Sequence, residues 1–224
     1  MPHDRESSVK DRWPSYDELI SRLLFTVCLI IPVTLILAVI FYRDSFHLLS
    51  NAFSELGEIK THSGTPNPVA RLIFSAGFIA CGATMLIISL RFARARGIRN
   101  RFVKSALALF AAAGFFLGIT PNDLSHFWHS VGMGVVIGAI YFFGLLFLVE
   151  LRTTISPFVF WWNLSVLHVS VLIYATLWFL GSDLKQVAQK ACVIGLLLVM
   201  ERVGTVAPEG FAWRAALGLP RKNS

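Results

Sequence analysis

Leu23-Leu-Phe-Thr-Val-Cys-Leu-Ile-Ile-Pro-Val-Thr-Leu-Ile-Leu-Ala-Val-Ile-Phe-Tyr42 runs across 20 positions without one charged side chain. A bilayer core needs about 20 consecutive apolar residues per helix, so this stretch predicts a membrane span. Five more runs repeat the pattern: Val69–Leu90, Phe102–Thr120, Phe127–Val149, Pro157–Leu180 and Val187–Ala207. The composition agrees. Apolar residues make up 55 % of the 224 and charged residues only 15 %, where a soluble domain carries roughly 25 %. The expected fold is therefore all-α: one polytopic bundle of six transmembrane helices over residues 23–207, between a cytoplasmic segment 1–22 and a cytoplasmic tail 208–224. The first run follows a long polar stretch and no small-x-small cleavage site follows it, so it reads as a span rather than a signal peptide. Ser15 to Glu18 has capping-box spacing, which would start the first helix near Tyr16.

Basic residues orient the bundle. With the N-terminus inside, one face receives fifteen of the 20 Lys and Arg, with a dense cluster from Arg91 to Lys104. The other receives Arg43, Lys60, Arg71, Lys185 and Lys190. The positive-inside rule then predicts N-in, C-in. The net charge of +7 is a topology signal, and the basic cluster attracts anionic headgroups. Nucleic acid is not an expected partner, because the aromatics lie in the spans and do not interleave with the basic residues. Cys28, Cys81 and Cys192 fall singly inside three spans and read as free buried thiols.

The connections differ in length. The first, Arg43–Pro68, is long and lies outside. Phe46, Leu48, Leu49, Phe53 and Leu56 predict a short interfacial helix over Asp44–Leu56, with Gly57 as its C-cap. Spans three and four form a tight outer hairpin. Gly114/Gly118 and Gly134/Gly138 have small-xxx-small spacing, expected to bring these two helices close. The piece Pro208–Leu219 reads as an interfacial tail.

Pro121-Asn-Asp-Leu-Ser-His-Phe-Trp-His-Ser130 is the stretch richest in chemistry. A helix starting at Asn122 or Asp123 would put Asp123, His126 and His129 on one face at the outer mouth. A carboxylate and two imidazoles there are candidate metal ligands, zinc among the options, or a proton relay. The plainer alternative has Asp123 or Asn122 capping the helix and the histidines facing water or headgroups. Three ligands at that spacing span about 9 Å of helix rise, so a shared ion needs help from the first loop, which offers His47, Ser54, Glu55, Glu58 and His62. Glu55 or Glu58 is expected within reach of the ladder. Asn163, His168 and Glu201 are intramembrane polar residues. His168 lies about 13 Å deeper than His129, which excludes a common metal, so a hydrogen-bonded structural role is expected for it. Glu201 is expected to pair within the bundle. No Ser-His-Asp order, HExxH, Gly-rich phosphate loop or CxxC is present, and no catalytic residue is assigned.

Two segments carry a resemblance. Phe53-Ser-Glu-Leu-Gly57 with Pro66-Asn-Pro68 and Leu72-Ile-Phe74-Ser-Ala-Gly77, together with Leu117-Gly-Ile-Thr-Pro-Asn-Asp123 and a following histidine, resemble a prokaryotic six-span family known as domain of unknown function nine-nine-eight. More distantly they are similar to DRAM and Sfk-type six-span proteins. The resemblance covers roughly residues 20–205 and implies a six-helix bundle with a polar outer mouth in a prokaryotic plasma membrane. It brings no established activity. The leading expectation is a membrane protein whose outer mouth, with Glu55, Glu58, Asp123, His126 and His129, engages lipid headgroups or a small ligand. The rivals are a metal-dependent membrane hydrolase acting on lipid and a small transporter.

Overall fold

The structure is a computed structural model and describes residues 18–96, 98–153 and 155–206. The capping box at Ser15 and the tail Pro208–Leu219 lie outside these residues. Six helices follow in order: α1 Glu18–Ile40, α2 Pro68–Arg94, α3 Arg101–Gly118, α4 His126–Leu151, α5 Pro157–Phe179 and α6 Lys185–Val206. No strand occurs among the described residues; one isolated bridge, Lys60 to Pro66, closes a turn in the first loop.

Each helix packs on the next, and α6 closes the bundle by returning against α1. The α1–α6 pair is antiparallel, as two contacts at opposite heights show. Ser21 Oγ donates to the Gly204 carbonyl, and Cys28 Sγ lies 3.9 Å from the Leu197 carbonyl. One end of the bundle therefore holds the start of α1, the α2–α3 and α4–α5 connections and the end of α6. The other end, the mouth, holds the first loop, the α3–α4 hairpin and the start of α6. The core is aromatic and aliphatic, with Phe92, Phe115, Phe143 and Phe147 fully buried. α5 is peripheral: it buries only Phe160, Asn163 and Leu167. Cys28, Cys81 and Cys192 are free thiols.

Among the described residues five helices, α1 to α5, are long and apolar enough to cross a membrane. α6 has 22 residues, but Lys185, Lys190, Glu201 and Arg202 leave no long uncharged stretch in it. Length and depth in the bundle set it with the others; charge sets it apart.

The glycines correct the expected hairpin contact. A Cβ on Gly114 would meet the Val136 backbone nitrogen at 2.7 Å, and one on Gly132 would meet the Leu117 carbonyl carbon at 2.7 Å. Gly118 faces Phe78 and Met133, whereas Gly134 and Gly138 face open space. Close approach of α3 and α4 thus rests on Gly114 and Gly132. Gly134 and Gly138 do not lie in the contact, because the small-xxx-small spacing leaves open which side of the helix meets a neighbour.

At the end away from the mouth, Lys104 is 1 % exposed and its ammonium lies 2.6 Å from Glu150, itself 15 % exposed. Asn100 donates to the other carboxylate oxygen at 2.9 Å, and the ammonium sits 4.5 Å over the Phe147 ring. Counting Lys104 among headgroup-facing cations is therefore corrected: it is a buried partner that ties α3 to the end of α4.

Candidate functional site

The first loop does not form the expected interfacial helix. Only Phe53–Gly57 is helical, as a single 3-10 turn. Side chains outcompete the backbone here. Asn51 Oδ1 accepts from the His47 amide, and the Glu55 carboxylate accepts from the Ala52 amide and from Asn51 Nδ2. Leu56 is buried, while Leu48 and Leu49 are exposed. Gly57 is needed for space: a Cβ there would sit 2.7 Å from the Phe74 ring.

Two polar residues then fold the loop down on the bundle. Asn67, fully buried, donates through Nδ2 to the Leu56 and Glu58 carbonyls, and its amide donates to the Ile59 carbonyl at 2.9 Å. Asp44 accepts from the Ser63 amide, and hydrogen bonds from Ser63 and Thr61 hold its carboxyl below the usual range.

The hairpin also departs from expectation. α4 begins at His126, and Ser125 is its N-cap, accepting from the Trp128 amide. Neither Asn122 nor Asp123 caps it. Released from the helix, Asp123 turns to the first loop and accepts from the Ile59 amide at 3.0 Å and the Lys60 amide at 3.1 Å. Asn122 donates to Glu58 Oε1 at 3.0 Å and meets His126 Nδ1 at 2.8 Å. His129 points into the bundle. It is 5 % exposed, and its Nδ1 meets the Thr120 carbonyl at 2.9 Å. That bond makes Nδ1 the protonated nitrogen and leaves buried Nε2 as an acceptor, which meets no partner among the described residues.

The loop and the hairpin therefore meet, through Asp123 on the Ile59 and Lys60 amides and Asn122 on Glu58. Glu58 reaches the ladder's neighbour Asn122, while Glu55 stays within its own loop. Asp123, His126 and His129 point to three different partners, and among the described residues no three His, Cys, Asp or Glu side chains gather as a metal set. The one-face arrangement of Asp123, His126 and His129 depended on a helix that starts at Asn122 or Asp123, and α4 begins at His126. Burial is the main reason the Glu58 carboxyl is raised above its ordinary value, with Glu55 and Asp123 adding to it and the Asn122 bond opposing it.

The start of α6 supplies two residues the sequence reading did not single out. Gln189 Oε1 accepts from the Phe53 amide at 2.9 Å. Lys190 donates to the Asn51 and Gln186 carbonyls, and its ammonium lies 5.1 Å from the Phe53 ring centre. Both are polar residues near the mouth end of an apolar helix, the one signal that could have marked them. The remaining intramembrane candidates lie apart. His168 Nδ1 bonds the Leu164 carbonyl at 2.8 Å and the ring meets Tyr141 edge-on. Asn163 bonds the Val159 carbonyl of its own helix. Glu201 is half-buried one turn from Gly204, at the end away from the mouth.

Two concavities flank this cap. Outside it lies an open one formed by Glu58–His62, Gly64 and Asp123. Beneath it lies an apolar cavity of about 80 Å³ within the bundle. Phe53, Ser54 and Gln189 line its mouth end, and Met85 and Met200 its far end, with walls from α1, α2, α3, α4 and α6.

Among the described residues, six helices, five of them of spanning length and apolarity, define an integral membrane protein of all-α class. The chain belongs to the family described as Protein of unknown function (DUF998), which matches residues 26–218. No curated protein and no solved structure matches it.

Proposed function

We propose a six-span protein of the prokaryotic plasma membrane, N-in and C-in, whose outer mouth binds the headgroup of a zwitterionic lipid. The observation that carries this reading is the rim concavity, which sets Lys60 and His62 beside Glu58 and Asp123. A phosphate suits the first pair and an ammonium the second. Asp123 keeps lone pairs free beyond its two backbone bonds. The divergence of Asp123, His126 and His129 weighs against the metal-dependent hydrolase. The transporter reading has no support in an interior lined by apolar side chains.

Six spans are supported by α6, whose two ends reach the same two ends of the bundle as α1. The basic asymmetry supports the orientation. Exposed aromatics stand at both ends: Phe127, Trp128, Trp178 and Phe179 at the mouth, and Phe158, Trp161 and Trp162 opposite. This is the pattern of interfacial anchors.

Two measurements test the reading. In a cysteine-free background, Ser63→Cys and Asp183→Cys should label from outside the cell and Arg96→Cys should not; external labelling at position 96 defeats the orientation. In detergent, short-chain phosphatidylethanolamine should raise the melting temperature more than short-chain phosphatidylglycerol, and Lys60→Ala should erase the difference. Equal shifts for both headgroups in the unaltered protein would overturn the headgroup reading.

A further inference from the structure

We infer that the cavity beneath the cap is a binding site for one acyl chain, entering from the mouth with its polar head held outside. Its shape is the first argument. The lining residues of α6 run from Gln189 to Met200 and those of α2 from Phe74 to Met85. The two end residues of each are eleven positions apart, or about 16 Å at 1.5 Å per residue. That is half of the roughly 30 Å hydrocarbon core, the depth that one leaflet's chain occupies. The cavity is therefore long and narrow, aligned with the bundle and open to one chain rather than to a bulky ring system.

Its lining is the second argument. Apart from Ser54 and Gln189 at the mouth end and the Cys28 thiol, every lining side chain is a hydrocarbon or a methionine thioether. Space of this volume exceeds what one water needs, but a water also needs two or more polar partners, and at depth these walls supply only the Cys28 thiol. An apolar chain loses nothing there and gains contacts with walls that otherwise face empty space. Met85, Met133 and Met200 give the walls an unbranched, adjustable surface, suited to chains that differ in length or unsaturation.

The roof is the third. Phe53 closes the mouth end and is latched by its amide to Gln189. Lys190 stands over the Phe53 ring with two of its three donors on carbonyls. The carboxylate of a fatty acid arriving with the chain meets this ammonium at the roof.

The inference deepens the headgroup reading and rests on it only for where the head lies, since the cavity stands whether or not the rim selects a headgroup. The test uses the full-length protein, delipidated in detergent. Oleic acid and a monoacyl phosphatidylethanolamine are the two probes, which separate a free fatty acid from a lipid as the source of the chain. Native mass spectrometry should show one adduct per protein, with a raised melting temperature. Ile137→Phe and Val193→Phe fill the cavity and should weaken retention by about tenfold or more, as expected when two or so methylenes are excluded. Met200→Ala deepens it and should move the preferred saturated fatty acid to a longer chain. This second variant keeps the test decisive where a filled variant fails to fold. Absence of any one-to-one adduct with either probe, or an unchanged chain-length optimum in Met200→Ala, overturns the inference. Binding of oleic acid without headgroup discrimination by short-chain lipids would defeat the headgroup reading and leave the chain site standing.

Discussion

Gly132→Leu is expected to prevent α3 and α4 from closing, with loss of the folded protein from detergent extracts. The neighbours of a Cβ at 132 are backbone: the Leu117 carbonyl carbon at 2.7 Å, with Gly118 also in the way. A flexible side chain could swing aside, but a helix backbone moves only with its whole packing. Overpacking commonly costs about 1–3 kcal/mol, and here a full leucine must displace one helix from another, so the cost lies at or above the top of that range. Gly132→Ala should be milder in the same direction. Gly138→Ala should do the opposite. Its Cβ enters open space, and alanine is favoured over glycine in a helix by about 1 kcal/mol. Melting temperatures of the three variants check the prediction, and a Gly138→Ala loss as large as that of Gly132→Ala would show that the helix contact is misplaced.

Glu150→Leu is expected to be the second severe change. It would leave Lys104 at 1 % exposure without its carboxylate, and removing one partner of a buried pair costs about 3–5 kcal/mol. The double variant Lys104→Met with Glu150→Leu should recover most of that, because exchanging the whole pair for apolar side chains of similar volume is often neutral. Asn100 would lose its acceptor in both variants, so recovery in the double variant isolates the charge. A double variant no more stable than Glu150→Leu alone would show that the pair acts through packing.

The helices were largely legible. The fourth span, expected over 127–149, is α4 over 126–151, because uninterrupted apolar runs leave a chain in lipid little alternative to a helix. The first loop was not legible as a helix. Its apolar spacing suggests one face, but Asn51 and Glu55 bind nearby backbone and offer it another conformation. The candidate site was half legible. That the loop and the hairpin share one end follows from counting spans. That Asp123 binds the Ile59 and Lys60 amides does not, since backbone donors carry no signature in side-chain sequence. The partner of Lys104 lies 46 residues away and no local pattern names it. Asp123 leaves the line of His126 and His129 for a local reason: α4 begins at His126, and a residue ahead of a helix start no longer follows the helix's faces.

The aromatic anchors on α5 have a consequence for the membrane itself. Phe158 and Phe179 stand at the two ends of one helix, 21 positions apart, hence about 32 Å along its axis. An average hydrocarbon core is about 30 Å thick. The aromatic ends of α5 are thus separated by the depth of such a core, and an upright helix of this length meets an average bilayer without stretching or thinning it. α5 is also the helix least shielded by its neighbours, so the match in length falls on the flank with the most lipid against it.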